Sequence, residues 1–288
     1  MPNKIEKDAY SGTETTGHEW DGVRELNTPL PKWWLYTWYA CIAWAAGMCL
    51  LYPSIPGIRS YWHGLLGYST RVEAMKGVVA IHALHADAMA EIAKKPIEQV
   101  AADPKLLETA LQSGRITFAN NCQPCHGQSG TGRIGYPALG DDVWLWGGKL
   151  TDIETTITHG IRSPDPAARQ SLMPAFGDGA LKPEEIQQVA DFVGTWWGVV
   201  PTGTNTTAGA KLFADNCASC HGDKGQGSHD FGAPPLNARI HLYGPTRDDI
   251  VAQVTHPRAG VMPNWSPRLD AATIRSVAVY VHSLGGGE

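Results

Sequence analysis

Basic residues are in short supply: the 288-residue chain has 23 Lys/Arg against 28 Asp/Glu, a formal net charge of −5. That balance gives no cationic face for a nucleic-acid backbone and argues against such a partner. Cysteine is sparse too, six in all, and its spacing excludes two common uses. A four-cysteine zinc site sets its second pair roughly 15–20 residues after the first. Here the pairs Cys122/Cys125 and Cys217/Cys220 stand 95 positions apart. No βαβ pattern surrounds either pair, which removes a thioredoxin-like thiol reading. Methionine is equally rare at six. Met1, Met48 in an apolar run, and Met75 and Met89 in a helical stretch account for four, leaving Met173 and Met262.

Long apolar runs are limited to one. Residues 33–52 read WWLYTWYACIAWAAGMCLLY, and no charge occurs from Trp33 through Ile58. At about 1.5 Å per residue such a helix spans a hydrocarbon core of roughly 30 Å. Pro29 and Pro31 precede it and Pro53 and Pro56 follow. Trp33, Trp34 and Tyr36 at one end, and Tyr52, Tyr61 and Trp62 at the other, resemble the aromatic belts of a membrane interface. The run starts late and behind a mixed-charge leader, unlike a cleaved signal. Arg24 and Lys32 on one side and Arg59 and Arg71 on the other leave its orientation undecided by charge alone.

The chain after residue 113 is an internal repeat. One copy begins GRITFANNCQPCHG and ends MPAFGDGALKPEEIQQVADFVGTW; the next begins GAKLFADNCASCHG and ends MPNWSPRLDAATIRSVAVYVHSL. Each copy has a helix, CxxCHG, a long loop rich in Gly and Pro, a Met-Pro and a final helix. PTGTNTT at residues 201–207 separates them. The expected organisation is a tail at 1–32, a transmembrane anchor at 33–56, a connector at 57–112, helical and interrupted by Pro96 and Pro104, and two domains at 113–200 and 208–288. The fold class is all-α. In each domain the first and last helices of one copy are expected to pack together, residues 114–122 against 183–197 in copy one.

CxxCH attaches c-type haem. Two thiols two residues apart can bond both vinyl groups of one porphyrin, and the next histidine falls under the iron. Cys122, Cys125 and His126 are therefore expected to hold one haem c, and Cys217, Cys220 and His221 a second. The sixth ligands are expected to be Met173, 47 residues after His126, and Met262, 41 after His221. A thioether favours reduced iron and raises the potential. Irons with both axial positions filled pass electrons and activate no substrate, so no catalytic residue is expected. Haem c is attached on the periplasmic side of bacterial membranes, which puts the N-terminus in the cytoplasm and the haem domains in the periplasm. His159 and His256, ahead of Arg162 and Arg258, are candidates for contact with haem propionates, while Trp144 and Trp146 are expected to pack on haem. After Gly114 there are 13 Lys/Arg and 16 Asp/Glu, a balance that would steer a basic cytochrome c donor.

The stretch HEWDGVRELNTPLPKWWLYTWYACIAW, followed by YPSIPG and LGYSTR, resembles the dihaem subunit III of cbb(3)-type cytochrome c oxidases, and the likeness runs over nearly the whole chain. What it implies is an inner-membrane electron-relay subunit. Its partners would be a soluble or membrane-bound cytochrome c donor, a monohaem cytochrome c subunit and a haem b–copper catalytic subunit. It also implies that methionines are exchanged between domains, His126 with Met262 and His221 with Met173. Loop length alone is satisfied by pairing within each domain, and the residues do not separate the two. A dihaem subunit of a dehydrogenase would carry a different N-terminus, and a dihaem peroxidase would need one open iron position.

Overall fold

The computed structural model describes residues 5–287. The first four residues of the expected tail and the last of the second expected domain lie outside it. The chain divides into two compact units, one reaching Ala80 and the other beginning at Ile81.

The first unit opens with a hairpin, β1 (Thr15–Trp20) and β2 (Val23–Leu26), paired antiparallel. The turn is Asp21-Gly22, both at positive φ (48° and 85°), the geometry a two-residue hairpin turn demands. The sequence reading expected only a polar tail here and overlooked this dipeptide. Helix α1 (Lys32–Leu51) follows, 20 residues with none buried. It is the one helix among the described residues long and apolar enough to cross a membrane. It ends at Leu51, five residues short of the expected anchor boundary, because Tyr52 turns extended ahead of Pro53. Residues 54–66 fold back over that end. The last four helical carbonyls all find donors: Met48 from the Tyr52 amide, Cys49 from Ser54 Oγ, Leu50 from the Leu65 amide, and Leu51 from the Leu66 amide. Orphan carbonyls at a helix terminus are costly away from water. Gly64 permits the approach; at φ 74° its backbone runs so close that a Cβ would lie 2.3 Å from the Leu51 oxygen.

Helix α2 (Thr70–Lys94) stops before Pro96, and α3 (Ile97–Ala102) and α4 (Pro104–Asn121) follow. Asp103 caps α4 by accepting from the Lys105 and Leu106 amides, with Pro104 in the first turn. The expected connector boundary at 112 therefore falls inside a helix. Ile92, Ile97 and Val100 of the expected connector are buried in one core with Phe118 of α4. Beyond lie α5 (Gln123–His126), α6 (Leu150–His159), α7 (Pro183–Trp197), α8 (Thr207–Asn216), α9 (Ala218–His221), α10 (Arg247–Thr255) and α11 (Ala271–His282).

The helices do not pair within each repeat copy. Helix α4 of copy one packs on α11 of copy two, and α8 of copy two packs on α7 of copy one. One core joins Leu106, Ala110 and Phe118 to Ile153 and Ile157 of α6 and to Ile274, Val277 and Val281 of α11. The other joins Phe176, Ile186, Val189 and Val193 to Phe213 of α8 and Ile250 and Val254 of α10. The expected pairing of helices 114–122 and 183–197 is thus replaced by a crossed one. Hydrophobic periodicity shows which face of a helix is apolar and not which partner covers it, so two near-identical copies give no cue to the exchange.

Both crossings are built on a glycine eight residues before the first cysteine. A Cβ on Gly114 would lie 2.2 Å from the Ser276 carbonyl oxygen, and one on Gly209 would lie 2.0 Å from the Gln188 oxygen. One turn later Phe118 and Phe213 are each 2 % exposed, and full burial of such a side chain contributes roughly 1.5–3 kcal/mol. Phe118 meets Tyr280 at 5.4 Å between ring centroids, and Phe213 meets Trp196 edge-on at 5.3 Å.

Candidate haem sites

Each CxxCH is a single helical turn. The Cys122 carbonyl accepts from the Cys125 and His126 amides at 3.1 and 2.9 Å, and the Cys217 carbonyl from the Cys220 and His221 amides at 3.2 and 3.0 Å. Positions i, i+3 and i+4 share a helix face, so two thiols and one imidazole look the same way. Gly127 and Gly222, at φ 79° and 76°, then turn the chain away. None of the six cysteines is joined to another by a disulfide. Burial pushes the Cys122 and Cys217 thiols up to about 11, which keeps them protonated.

The two imidazoles are held alike. His126 Nδ1 lies 3.0 Å from the Pro137 carbonyl oxygen, and His221 Nδ1 lies 3.0 Å from that of Pro234. A carbonyl can only accept, so Nδ1–H donates and the Nε2 lone pair is left for a metal. Burial lowers the pKa of both imidazoles, favouring the neutral form that ligates. The sequence reading missed both prolines. The signal was present: a Pro-x-Leu follows each motif, PAL at 137–139 and PPL at 234–236.

Met173 lines one apolar cavity with Cys217, Cys220 and His221, together with Val193 and Trp197. Met262 packs against the core that holds Phe118, as do Cys122 and Tyr280. Its backbone is fixed to copy one: the Ile161 amide donates to the Met262 carbonyl and the Met262 amide to the Ile161 carbonyl, both at 3.0 Å. Two thiols, a neutral imidazole oriented through Nδ1 and a half-buried thioether form a donor set that suits haem c. Met173 thus shares a cavity with the CxxCH of the other copy, and Met262 packs on the core against which Cys122 of the other copy also packs.

A second cavity is lined by both histidine-anchoring prolines, Pro137 and Pro234, with Leu145, His241 and Leu242. His241 stacks on Trp197 at 3.6 Å, and the Trp197 indole donates to the Leu236 carbonyl at 2.7 Å. The other aromatic and histidine candidates have their own partners. His159 Nδ1 meets Asp165 Oδ2 at 3.1 Å, and His256 Nδ1 lies 3.7 Å from Asp178. Trp144 donates its indole N–H to the Gly286 carbonyl. Trp146 lies against Gly232, where a Cβ would be 2.2 Å from its ring, and carries the Arg169 guanidinium above it.

Comparison with known proteins identifies the family. The family model described as the N-terminal domain of cytochrome oxidase-cbb3, FixP, matches residues 12–59. The one described as cytochrome c oxidase, cbb3-type, subunit III, matches residues 109–193 and again 204–281. A cbb3-type cytochrome c oxidase subunit FixP of Bradyrhizobium sp. (strain ORS 278) is 46% identical over 291 residues, covering 100% of both chains. The subunit CcoP of Cereibacter sphaeroides is 48% identical over 276 residues, 95% of each chain. That of Azospirillum brasilense is 48% identical over 291 residues, 98% of this chain and 99% of its own.

Proposed function

The chain belongs to the cbb3-type cytochrome c oxidase subunit III family, and from that premise we propose that it is the oxidase's electron entry relay. It takes electrons from a soluble or membrane-bound cytochrome c and hands them to a monohaem cytochrome c subunit and thence to the oxygen-reducing haem b–copper subunit. It has no catalytic site of its own. Helix α1 anchors it in the inner membrane as a single pass, N-terminus in the cytoplasm and haem-bearing residues in the periplasm.

The residues divide the work as follows. Cys122 and Cys125 hold one haem c by thioether bonds, and Cys217 and Cys220 hold the other. His126 and His221 supply the proximal nitrogens, kept in the right tautomer by the Pro137 and Pro234 carbonyls. Met262 would supply a thioether ligand to the haem held by His126, and Met173 one to the haem held by His221. When bound, each haem supplies a one-electron iron couple. Thioether ligation would raise its potential, and an iron so held by histidine and methionine would carry electrons without binding oxygen.

What carries this reading is the matched pair of CxxCH turns whose anchoring prolines line a single cavity. Such an arrangement keeps the two histidine sides close to one another, as a relay requires. The test is purification from the native membrane under mild detergent, with pyridine haemochrome and reduced-minus-oxidised spectra. Two covalent low-spin haems with a far-red methionine-to-iron band, co-purifying with a haem b–copper oxidase, are expected. A single haem, a high-spin component or recovery with a dehydrogenase instead would overturn it. Reduction by a basic cytochrome c is further expected to slow as ionic strength rises, because the haem-bearing residues are mildly acidic.

A further inference from the structure

Arg162 sits where the two repeat copies cross. It is one of three non-glycine residues at positive φ among the described residues, at 52°. Such a conformation is disfavoured for a side chain with a Cβ and persists only where the surroundings fix it. Here they do. The Arg162 amide donates to the Arg169 carbonyl at 2.8 Å, while the preceding Ile161 is paired both ways with Met262. The guanidinium then forks. Nε donates to the Gly260 carbonyl at 2.7 Å and Nη1 to the Ser171 carbonyl at 2.9 Å. Gly260 stands two residues before Met262, and Ser171 two residues before Met173. One planar group, whose donors are fixed relative to each other, therefore holds equivalent points of both methionine loops. The repeat counterpart does nothing similar: Arg258 donates to the Tyr243 carbonyl and lies over the Tyr243 ring at 4.9 Å.

We propose that Arg162 is a positioning residue for both sixth ligands at once, a tie between the two methionine loops that makes the two methionine–iron bonds form and loosen as a pair. This rests on the ligation by Met173 and Met262 set out above. Without the fork, two loop carbonyls lose their donor and each methionine gains freedom to leave its iron. The arrangement couples the two haem environments through a protein hinge in addition to any direct electrostatic effect between the irons.

The experiment uses the full chain in its oxidase, native and with Arg162→Gln, Arg162→Lys and Arg258→Gln. Haem content is checked first, then the far-red methionine-to-iron band and the midpoint potential of each haem c are recorded. In Arg162→Gln the band is expected to weaken at both haems and both potentials to fall. Arg162→Lys keeps the charge without the fork and is expected to behave similarly, whereas Arg258→Gln leaves the pair of potentials unchanged relative to one another. A shift at only one haem, no shift, or full rescue by lysine would overturn the proposal; lysine rescue would mean that charge, for instance opposite a propionate, is what matters. A second measurement needs no variant. Displacement of the two methionines in the native chain by added imidazole is expected to be cooperative, and two independent saturation curves would refute the tie. Absence of the far-red band from the native chain would instead remove the ligation itself.

Discussion

Gly114 of α4 meets Ser276 of α11 so closely that a single added methyl group would stand 2.2 Å from the serine carbonyl oxygen. The two residues belong to different copies of the repeat, and their contact brings the two helix backbones together in the first core. Gly114→Ala is expected to force the helices apart and destabilise the holo-chain by about 1–3 kcal/mol, as overpacking usually does. Gly77 on α2 has nothing within 4 Å of a built Cβ. Gly77→Ala is expected to be neutral or to stabilise by up to about 1 kcal/mol through helix propensity. Thermal melts followed at the haem absorbance and in the far ultraviolet compare the two. Equal melting temperatures for both variants would contradict the close crossing.

The second core draws on one unbroken stretch. Met173, α7, α8, the CxxCH of α9 and α10 all fall within residues 171–257, whereas the first needs residues on both sides of that stretch. A fragment of residues 168–259, exported with a cleavable signal, is expected to mature with one mainly low-spin haem, its far-red band present but weaker than in the full chain because Arg162, which holds the Ser171 carbonyl, is missing. A fragment of residues 81–200 lacks α11 and Met262 and is expected to yield little haem protein, and what forms should be high spin. Spectra of the two exported fragments decide the matter; the reverse outcome would favour domains built within each copy.

Methionine exchange can be read one haem at a time. In a Cys122→Ala/Cys125→Ala background only the haem on Cys217 and Cys220 remains. Adding Met173→His is expected to lower that haem's potential and abolish its far-red band, while Met262→His is expected to leave both largely unchanged. The opposite assignment of effects in redox titrations would restore pairing within each copy.

Removal of haem should cost structure as well as colour. Val189, Val193, Phe213, Ile250 and Val254 belong to the second core and also line the cavity around His221, so part of their apolar surface has no protein partner. Small domains have little core to spare. Cys217→Ala/Cys220→Ala is therefore expected to lose helix signal in circular dichroism beyond the few residues of α9. Retention of full native helix content would show that the protein core suffices without the porphyrin.

The sequence made some levels of this molecule legible and hid others. Helix α7 was expected at residues 183–197 and occupies Pro183–Trp197, because a proline, two glutamates and a clear apolar stripe mark its start and face. The CxxCH residues were equally plain, since thiol and imidazole spacing is local chemistry. Pro137 and Pro234 were not found, because what they contribute is a backbone carbonyl, which any residue carries. The crossed packing of α4 with α11 was invisible for a different reason. Two copies with the same stripe, and a glycine at the same place in each (Gly114 and Gly209), offer interchangeable surfaces, so nothing local marks which partner each helix takes. The hairpin at Asp21-Gly22 was overlooked although its turn dipeptide is a strong signal, because its strands are short and mostly exposed.

The crossing of the two copies also sets a timetable. A chain made from its N-terminus presents Cys122 some 140 positions before Met262, a wait of roughly 7–28 s at ordinary synthesis rates of about 5–20 residues per second. Throughout that interval α4 has no α11 to lie against, and the attachment site of the first haem stays half built. The stretch from Met173 to α10 is finished earlier and can close upon itself. The haem site encountered first during synthesis is thus the last to be completed, and the attachment machinery must work on, or shelter, an open half-site while its sibling is already sealed.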